Sequence, residues 1–285
     1  MTEMRQSKFK QVDVFTALPF KGNPVAVILD GAGLSTEAMQ AIANWTNLSE
    51  TTFVTSPTDP AADYAVRIFT PRSELPFAGH PTLGTAHAVI EAGIAAPRDG
   101  RIVQQCAVGL VEIDQSGSGL TFRLPRYAAS DAPEPGVLEA AIGAGLVYGI
   151  PQIIDVGPRW VIAEIASVAQ VEGMSPDLAA LANYDRRHGT TGLTVYAGKA
   201  EGDIIVRSFA PADGIAEDPV CGSGNGAVAA YRLIAGQLSG QSNYAASQGR
   251  QMGRDGYVRV RIDGEAIHIG GDCVTVIDGI MQVPD

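Results

Sequence analysis

Two short segments of the sequence place polar side chains among glycines at the start of a predicted helix. The first, residues 77–86, reads FAGHPTLGTA and sets His80 between Gly79 and Pro81. The second, residues 221–227, reads CGSGNGA. A helix N-terminus presents unpaired amide hydrogens and a partial positive charge, and glycine lets a ligand approach the backbone closely. Both segments therefore indicate sites for a small anion such as a carboxylate.

The two segments belong to an internal repeat. Residues 67–71 (RIFTP) recur as residues 207–211 (RSFAP), an offset of 207 − 67 = 140. Residues 76–80 (PFAGH) recur as residues 219–223 (PVCGS), an offset of 219 − 76 = 143. Each copy has a strand that ends in Arg-x-Phe-x-Pro, an irregular connection, and then a Pro-x-x-Gly-polar turn into a helix. A two-copy repeat of this kind indicates a duplicated lobe and not a solenoid.

Duplication makes His80 and Ser223 equivalent residues, each at the start of a helix. We expect a pseudo-two-fold axis to bring the two helix starts face to face across a cleft. The amides of Gly79 and Gly222 would then cradle one carboxylate inside an otherwise acidic protein. This arrangement explains the glycines, but it does not by itself explain a histidine at position 80.

The elements around these turns read as α+β. The sequence predicts helices over residues 80–93 and 225–236, and a further helix that begins after Ser35. Strands are predicted over residues 11–18, 24–30, 64–70, 101–106, 108–114, 119–124, 160–165, 193–198 and 203–210. Because strands come in runs with few helices between them, the pattern does not fit a doubly wound parallel sheet.

A composition shift marks the boundary between the lobes. The passage RLPRYAASDAPEPG, residues 123–136, is rich in proline, alanine and serine. We expect an N-terminal lobe over residues 1–125 and a C-terminal lobe over residues 126–285, whose extreme C-terminus can return to the N-terminal lobe.

Composition excludes several classes of protein. The chain of 285 residues is 46% hydrophobic, and its formal net charge of −11 argues against nucleic acid or an anionic membrane as partner. Its three cysteines form no CxxC pair, which is typical of a reducing compartment. No apolar run has the length of a signal peptide or a membrane helix, so we expect a cytoplasmic protein. Dinucleotide, P-loop, metalloprotease and GxSxG motifs are all absent, and no cofactor or metal is indicated.

Five separated motifs carry a resemblance to a known family. In chain order they are VDVFTALPFKGNPVAV, NLSETTFV, RIFTPRSELPFAGHPTLGTA, EDPVCGSGNGA and QGRQMGR. Together they span most of the chain and resemble the PhzF (phenazine biosynthesis PhzF-like) proteins. The resemblance implies the diaminopimelate epimerase fold, in which two similar lobes each wrap a sheet around a central helix, and it implies a homodimer. The family prototype isomerises trans-2,3-dihydro-3-hydroxyanthranilate without a cofactor, moving a proton between carbons.

The resemblance also assigns roles to residues. Glu50 is implied as the catalytic acid/base, because a glutamate in a closed apolar cleft has the raised pKa that carbon deprotonation needs. Around a small anionic metabolite it implies the side chains and amides of five further residues: His80, Asp218, Gly79, Gly222 and Ser223. We expect Asp218 to set the protonation state of His80 from the opposite lobe. The alternatives are that Glu50 is a solvated surface carboxylate or a helix-end cap, and that His80 is an N-cap or a packed core histidine. Asp218 could only initiate a turn, and Ser223 could be a plain helix cap. We expect His87, in the same helix as His80, to be structural.

Cys221 supports a second interpretation. Epimerases and racemases of this fold use one cysteine from each lobe, and Cys221 lies at what looks like the second position. Its repeat partner is Ala78, so an epimerase would need Glu50 in place of the first thiol. Cys221 and the GRDG of residues 253–256, where the family tends to show GRPS, are departures from the family pattern. A third interpretation is a non-catalytic protein that binds a small anion.

Overall fold

The computed structural model describes residues 4–117, 119–143, 145 and 151–284. The chain divides into two compact units. One consists of Met1–Arg123 together with Gly270–Asp285, and the other is Leu124–Ile269. Each unit is a mixed sheet with helices, so the predicted α+β class is confirmed.

The first unit is built on a long mixed sheet and two helices. Its strands are β1 (Met4–Val14), β2 (Asn23–Ile28), β3 (Thr51–Thr55), β4 (Tyr64–Phe69), β5 (Glu74–Leu75), β6 (Arg101–Cys106), β7 (Gly109–Ser116), β8 (Gly119–Arg123) and, from Gly270 onward, β17 (Ala266–Pro284). Its helices are α1 (Thr36–Thr46) and α2 (Gly79–Glu91). The strands pair in the order β17-β1-β2-β3-β4-β6-β7-β8, and β8 pairs with β17, so the sheet closes on itself.

Helix α2 lies inside this closed sheet and contacts β1, β2, β3, β6 and β8. Every residue of its first two turns, from Gly79 to Ala86, is buried. A helix enclosed on all sides needs small residues where strands approach closely. A Cβ on Gly84 would lie 2.4 Å from Cγ1 of Val25, which explains the glycine.

Helix α1 covers the outside of the sheet. Ser35 caps it, its side chain accepting a hydrogen bond from the amide of Ala38. Met39 and Ala43 pack with Phe53 and other buried residues in a core that is separate from α2. The helix ends at Asn47, which has a left-handed backbone (φ 53°), and the chain turns there toward β3.

The second unit repeats this plan. Its strands are β9 (Ala128–Asp131), β10 (Gln152–Asp155), β11 (Arg159–Glu164), β12 (Gly192–Gly198), β13 (Ile204–Ala210), β14 (Ile215–Asp218), β15 (Gln241–Gln248) and β16 (Gly256–Asp263). Its helices are α3 (Pro135–Ile142), α4 (Val168–Gly173), α5 (Leu178–His188) and α6 (Gly222–Ile234). Parallel β11–β12 and β13–β15 pairs stand where the first unit has parallel β2–β3 and β4–β6 pairs.

Helix α6 is the counterpart of α2. Both helices have 13 residues, and they start 222 − 79 = 143 residues apart, which is the offset of the sequence repeat. Helix α6 contacts β10, β11, β12 and β16, and its residues from Gly224 to Tyr231 are buried. Helices α3, α4 and α5 pack on a second core of this unit, around residues such as Leu181, Tyr184 and Phe209.

The repeated Arg-x-Phe-x-Pro segment is structural. Arg67 donates to both carboxylate oxygens of Glu74, at 2.7 and 2.6 Å, and its guanidinium lies over the ring of Phe69. Arg207 does the same with Glu217, at 2.9 and 2.8 Å, and with the ring of Phe209. Bidentate pairs of this kind fix the short hairpin that leads to each central helix.

Candidate active site

Helix α2 begins without a side-chain cap. Its N-cap residue, Ala78, has extended backbone and no side chain that could accept a hydrogen bond. The first intrahelical bond runs from the amide of Thr82 to the carbonyl of Ala78, so the amides before Thr82 have no partner within the helix. His80, the second residue of α2, is buried beside these amides.

Glu50 is held at the edge of β2 and β3. It directly precedes β3, and its carbonyl accepts a hydrogen bond from the amide of Ala26 at 3.4 Å. The chain arrives there through the left-handed turn at Asn47. Because neighbouring strands fix the backbone on its C-terminal side, the carboxyl group has a defined position next to α2.

The structure brings Glu50 and His80 together. Oε2 of Glu50 lies 3.3 Å from Nε2 of His80, and the two side chains are only 15% and 6% exposed. Burial raises the pKa of Glu50 from 4.5 to about 7, and the neighbouring hydroxyl of Ser49 opposes the rise. Oε2 has no hydrogen bond within the described part of the chain. A carboxyl group with this pKa is present at neutral pH both as an acid and as a base.

Polar side chains behind the pair fix its surroundings. The hydroxyl of Ser49 donates to Oδ1 of Asn23, a fully buried residue, at 3.4 Å. On α2, Thr82 accepts a hydrogen bond from Gln104, and Thr85 donates to Thr52 of β3 at 2.8 Å. These bonds set the rotation of α2 about its axis and with it the direction of His80.

At the start of α6, Cys221 is the cap. Its Sγ accepts a hydrogen bond from the amide of Gly224 at 3.2 Å, and the residue is 3% exposed. Sγ also lies 3.5 Å from the hydroxyl of Ser223. The thiol therefore takes the place that a serine or aspartate side chain fills in ordinary helix caps.

Ser223 has a second partner that the sequence did not indicate. The indole Nε1 of Trp160 on β11 donates to Oγ of Ser223 at 3.0 Å. Ser223 is therefore not a plain N-cap, because Cys221 occupies that position.

A buried amide network supports the same turn. Oε1 of Gln248 accepts hydrogen bonds from the amide of Cys221 and from Nδ2 of Asn225, and its Nε2 donates to the carbonyl of Asp218. Sequence reasoning did not single out either amide side chain. The motif QGRQMGR, which begins at Gln248, was the available signal, although its letters indicate no role.

Asp218 begins the turn that leads into α6. Its Oδ1 accepts a hydrogen bond from the amide of Val220 at 3.0 Å, which is the turn-initiating geometry of an aspartate before proline. Asp218, Cys221, Gly222 and Ser223 thus lie in one segment at the start of α6 in the second unit. In the first unit, Gly79 and His80 begin α2, and the side chain of Glu50 reaches His80 from the residue before β3. Control of His80 by Asp218 joins residues of the two units and stays a prediction.

His87 lies seven residues beyond His80 on α2, about two helical turns further along. Its Nε2 is 3.1 Å from the hydroxyl of Thr275 on β17, and burial lowers its pKa. Thr275 also donates to Glu91, which pairs with the buried Lys10. This cluster joins the helix to the sheet, as expected for a structural histidine.

Comparisons with known proteins agree with this architecture. The phenazine biosynthesis-like protein family, PhzC-PhzF, matches residues 12–279. The trans-2,3-dihydro-3-hydroxyanthranilate isomerase of Pseudomonas chlororaphis is 34% identical over 93% of this chain and 95% of its own length. A protein of Schizosaccharomyces pombe called antisense-enhancing sequence 1 is 39% identical over 97% of this chain and 99% of its own. The PhzF-family crystal structure from Bacillus anthracis superposes with a TM-score of 0.85 at 24% identity, covering 97% of this chain and 99% of the other.

The fold, a sheet around a central helix that occurs twice, defines the class of PhzF-like proteins. The chain belongs to the phenazine biosynthesis-like family. The predicted resemblance, the fold class and the isomerase class are confirmed by these matches. Within the described residues, no helix has the length and hydropathy needed to cross a membrane.

Proposed function

We propose that the chain is a cofactor-independent isomerase that moves a proton between carbons of a small carboxylated metabolite. The relative from Pseudomonas chlororaphis is named for isomerisation of trans-2,3-dihydro-3-hydroxyanthranilate, and we propose a substrate of that chemical class here. Glu50 is the acid/base: its carboxylate takes a proton from one carbon, becomes a carboxylic acid, and returns a proton to another carbon. No atom other than the proton is transferred, so the reaction needs no co-reactant.

The observation that carries this proposal is the buried Glu50–His80 pair, 3.3 Å apart, with a carboxyl pKa of about 7. An ordinary solvated carboxylate is too weak a base to remove a proton from carbon at an adequate rate, and a buried one is stronger. Matching its pKa to neutral pH also lets the same group return the proton. A carboxylate that lies at the surface or caps a helix would be neither buried nor raised in pKa.

His80 and the amide of Gly79 stabilise the charge that develops as the proton leaves. Both lie in the first turn of α2, where the helix dipole favours negative charge. Preorganised donors of this kind act without reorganising during the reaction. We assign the amide of Gly222 and the hydroxyl of Ser223 to binding of the substrate, and Asp218 to control of the charge on His80. Replacement of Asp218 by Asn should change both turnover and the titration of His80.

The remaining features of the proposal concern the setting of the enzyme. We propose a cytoplasmic homodimer whose partner is a small anionic metabolite, with no nucleic acid, membrane, metal or cofactor involved. Activity should therefore survive exhaustive dialysis against a chelator, and the molecular mass in solution should be twice that of the chain.

The test is turnover in deuterated water. The purified chain is incubated with trans-2,3-dihydro-3-hydroxyanthranilate, and a panel of small carboxylates is run in parallel; mass spectrometry and NMR then locate deuterium on carbon. We expect a shifted double bond, with deuterium at the carbon that receives the proton. The acid limb of kcat/KM should have an apparent pKa of about 7, because the free enzyme must carry the carboxylate form of Glu50.

Two results would overturn the proposal in different ways. Exchange at one carbon with inversion and no migration of a double bond would support an epimerase. Failure to exchange any carbon-bound hydrogen across the panel, with binding retained, would support a protein that only binds anions.

A further inference from the structure

The indole N–H of Trp160 contacts Ser223, a proposed substrate-binding side chain, and the sequence did not indicate this contact. Indole nitrogen can only donate a hydrogen bond, so Oγ of Ser223 must accept at the 3.0 Å contact. A serine hydroxyl has one proton to donate and two acceptor positions. With one acceptor position filled by Trp160, the hydroxyl proton is directed to another acceptor.

The neighbouring polar atom in the structure is the sulfur of Cys221, 3.5 Å from Oγ, and either atom of this pair could be the donor. Sulfur is a weak acceptor, and this one already accepts from the amide of Gly224. A substrate oxygen, especially a carboxylate oxygen, is a much stronger acceptor. The hydroxyl proton of Ser223 is therefore available to an anion at the start of α6.

The indole ring is held in a shaped slot. Trp160 pairs in register with Gly192 of the parallel neighbouring strand. A Cβ on Gly192 would lie 2.0 Å from the carbonyl oxygen of Phe209 and 2.8 Å from Cζ3 of the indole, so the ring packs directly against the backbone of residue 192. Trp160 is 3% exposed. Packing thus fixes the ring, and the ring fixes the direction of its N–H.

The first unit shows that the fold itself does not require this tryptophan. Thr51 pairs with Phe69 and Ala26, as Leu193 pairs with Phe209 and Val161. The residue before Ala26 is Val25, so Val25 stands where the second unit has Trp160. Valine fills the position without any polar atom. The donor is present only in the unit whose helix starts with a serine in place of His80.

We propose that Trp160 is a positioning residue, which orients the hydroxyl of Ser223 as a donor to the anionic group of the substrate. The proposal rests on the proposed function, because it assigns Ser223 to substrate binding. It predicts a loss of substrate binding on removal of the indole N–H, and the loss should depend on the presence of Ser223.

The kinetic test is a double-mutant cycle with Trp160→Phe, Ser223→Ala and the double variant. Phenylalanine keeps an aromatic ring in the slot and removes the N–H. We expect Trp160→Phe to raise KM for trans-2,3-dihydro-3-hydroxyanthranilate about 3- to 10-fold with kcat within twofold, the effect of one hydrogen bond used in binding. In the Ser223→Ala background the same change should alter KM less than twofold. Equal losses in both backgrounds, or no loss in either, would overturn the proposal.

A spectroscopic arm is independent of turnover. The chain has two tryptophans, Trp160 and the 80% exposed Trp45, so an indole ¹⁵N–¹H spectrum has two signals. Trp45→Phe assigns them and serves as the matched control in the kinetics. We expect Ser223→Ala, and addition of 2-aminobenzoate to the wild type, to move the Trp160 signal and leave that of Trp45 in place. A Trp160 signal that neither change moves would overturn the proposal.

The two arms separate failure of the proposal from failure of the proposed function. If the wild type does not turn over the substrate, the proposed reaction is wrong, and the response of the Trp160 signal to 2-aminobenzoate decides whether Trp160 orients Ser223 toward an anion. If the wild type is active and Trp160→Phe has unchanged KM, the proposed reaction stands and the role of Trp160 is wrong. A cooperative thermal unfolding transition shows that each variant is folded. If Trp160→Phe does not fold, the effect of Ser223→Ala on the Trp160 indole signal decides whether Trp160 orients Ser223.

Discussion

The two central helices begin with the same backbone and different chemistry. The start of α2 has no side-chain cap and carries the buried His80 beside Glu50, so it holds a pair of groups that can exchange a proton. The start of α6 is capped by Cys221 and surrounded by the neutral donor Trp160 and the amide side chain of Gln248. A buried pair of titratable side chains, Glu50 and His80, therefore lies at the start of α2, whereas the start of α6 is held by a thiol cap and neutral hydrogen-bonding groups.

The same contrast appears in the repeated arginines. Arg67 and Glu74 are 32% and 37% exposed, whereas Arg207 and Glu217 are 6% and 13% exposed. Arg207 also donates to the carbonyls of residues 171 and 174, which hold the end of α4. The Arg67–Glu74 ion pair therefore joins the two strands of a hairpin at the surface. The Arg207–Glu217 ion pair is buried and also connects its hairpin to α4.

The largest expected effect is on catalysis in the first unit. Glu50→Gln keeps the shape of the side chain and removes its ability to take a proton, so kcat should fall by about 10²- to 10⁴-fold. Hydrogen–deuterium exchange into the substrate should be lost in parallel. The matched control is Glu37→Gln on the exposed side of α1, which should retain wild-type kcat. Wild-type turnover by Glu50→Gln would show that Glu50 is not the acid/base, and the start of α2 would then have no catalytic group that distinguishes it from the start of α6.

The next effect is on stability, and it compares the two arginines. Arg207→Met should lower the free energy of unfolding by about 3 to 5 kcal/mol, because it leaves the buried Glu217 carboxylate without its partner. Arg67→Met should lower it by about 1 kcal/mol or less, since that pair is partly solvated. Urea denaturation of both variants measures the difference. Equal losses would mean that exposure does not distinguish the two copies of the motif.

The sequence predicts the parts of this contrast that depend on residues close together in the chain, and it misses those that depend on residues far apart. The repeat placed both helix starts, and the predicted helices over 80–93 and 225–236 correspond to Gly79–Glu91 and Gly222–Ile234. The second begins three residues earlier than predicted, because enclosure by the sheet and the Cys221 cap hold glycines 222 and 224 in the helix despite their low propensity. Tertiary contacts overrode local preference there.

The parts that sequence reasoning missed depend on strand register. Trp160 meets Ser223 only because β11 pairs with β12 in a particular register, and Gln248 reaches the same turn from β15. Neither partner is near residue 223 in the chain. The sequence does not predict helices α3, α4 and α5, since α3 and α4 are short and α3 begins within residues 123–136, whose composition marks the predicted lobe boundary. The Glu50 site was found through the family resemblance, because its local sequence is also typical of a surface turn.

The third prediction concerns the stability of the same variant: Glu50→Gln should lose activity but gain stability. The pKa of Glu50 is about 7 in the folded chain and near 4.5 when the residue is solvated, so the folded state holds more protons between these pH values. Its stability therefore falls as pH rises through that window. Glu50→Gln lacks this penalty and should be more stable than the wild type by up to about 3 kcal/mol above pH 7, with the difference vanishing below pH 4.5. Thermal and urea unfolding across pH 4 to 8 measure it. A variant less stable than the wild type at pH 8 would show that the carboxylate is not destabilising.

The smallest expected effect concerns Cys221, and it decides whether the second helix start has acid/base chemistry of its own. The thiol accepts from the amide of Gly224, and its counterpart at the start of α2 is Ala78, which has no proton to transfer. Cys221→Ala should therefore cost about 1 kcal/mol of stability, the usual value of a helix cap, and leave kcat within about twofold. Cys106→Ala is the control for loss of a thiol elsewhere. A 100-fold fall in kcat for Cys221→Ala, with iodoacetamide inactivation that substrate prevents, would instead make the thiol a second base. The two helix starts would then divide proton transfer between them, and an epimerase using Cys221 with Glu50 would replace the isomerase proposed above.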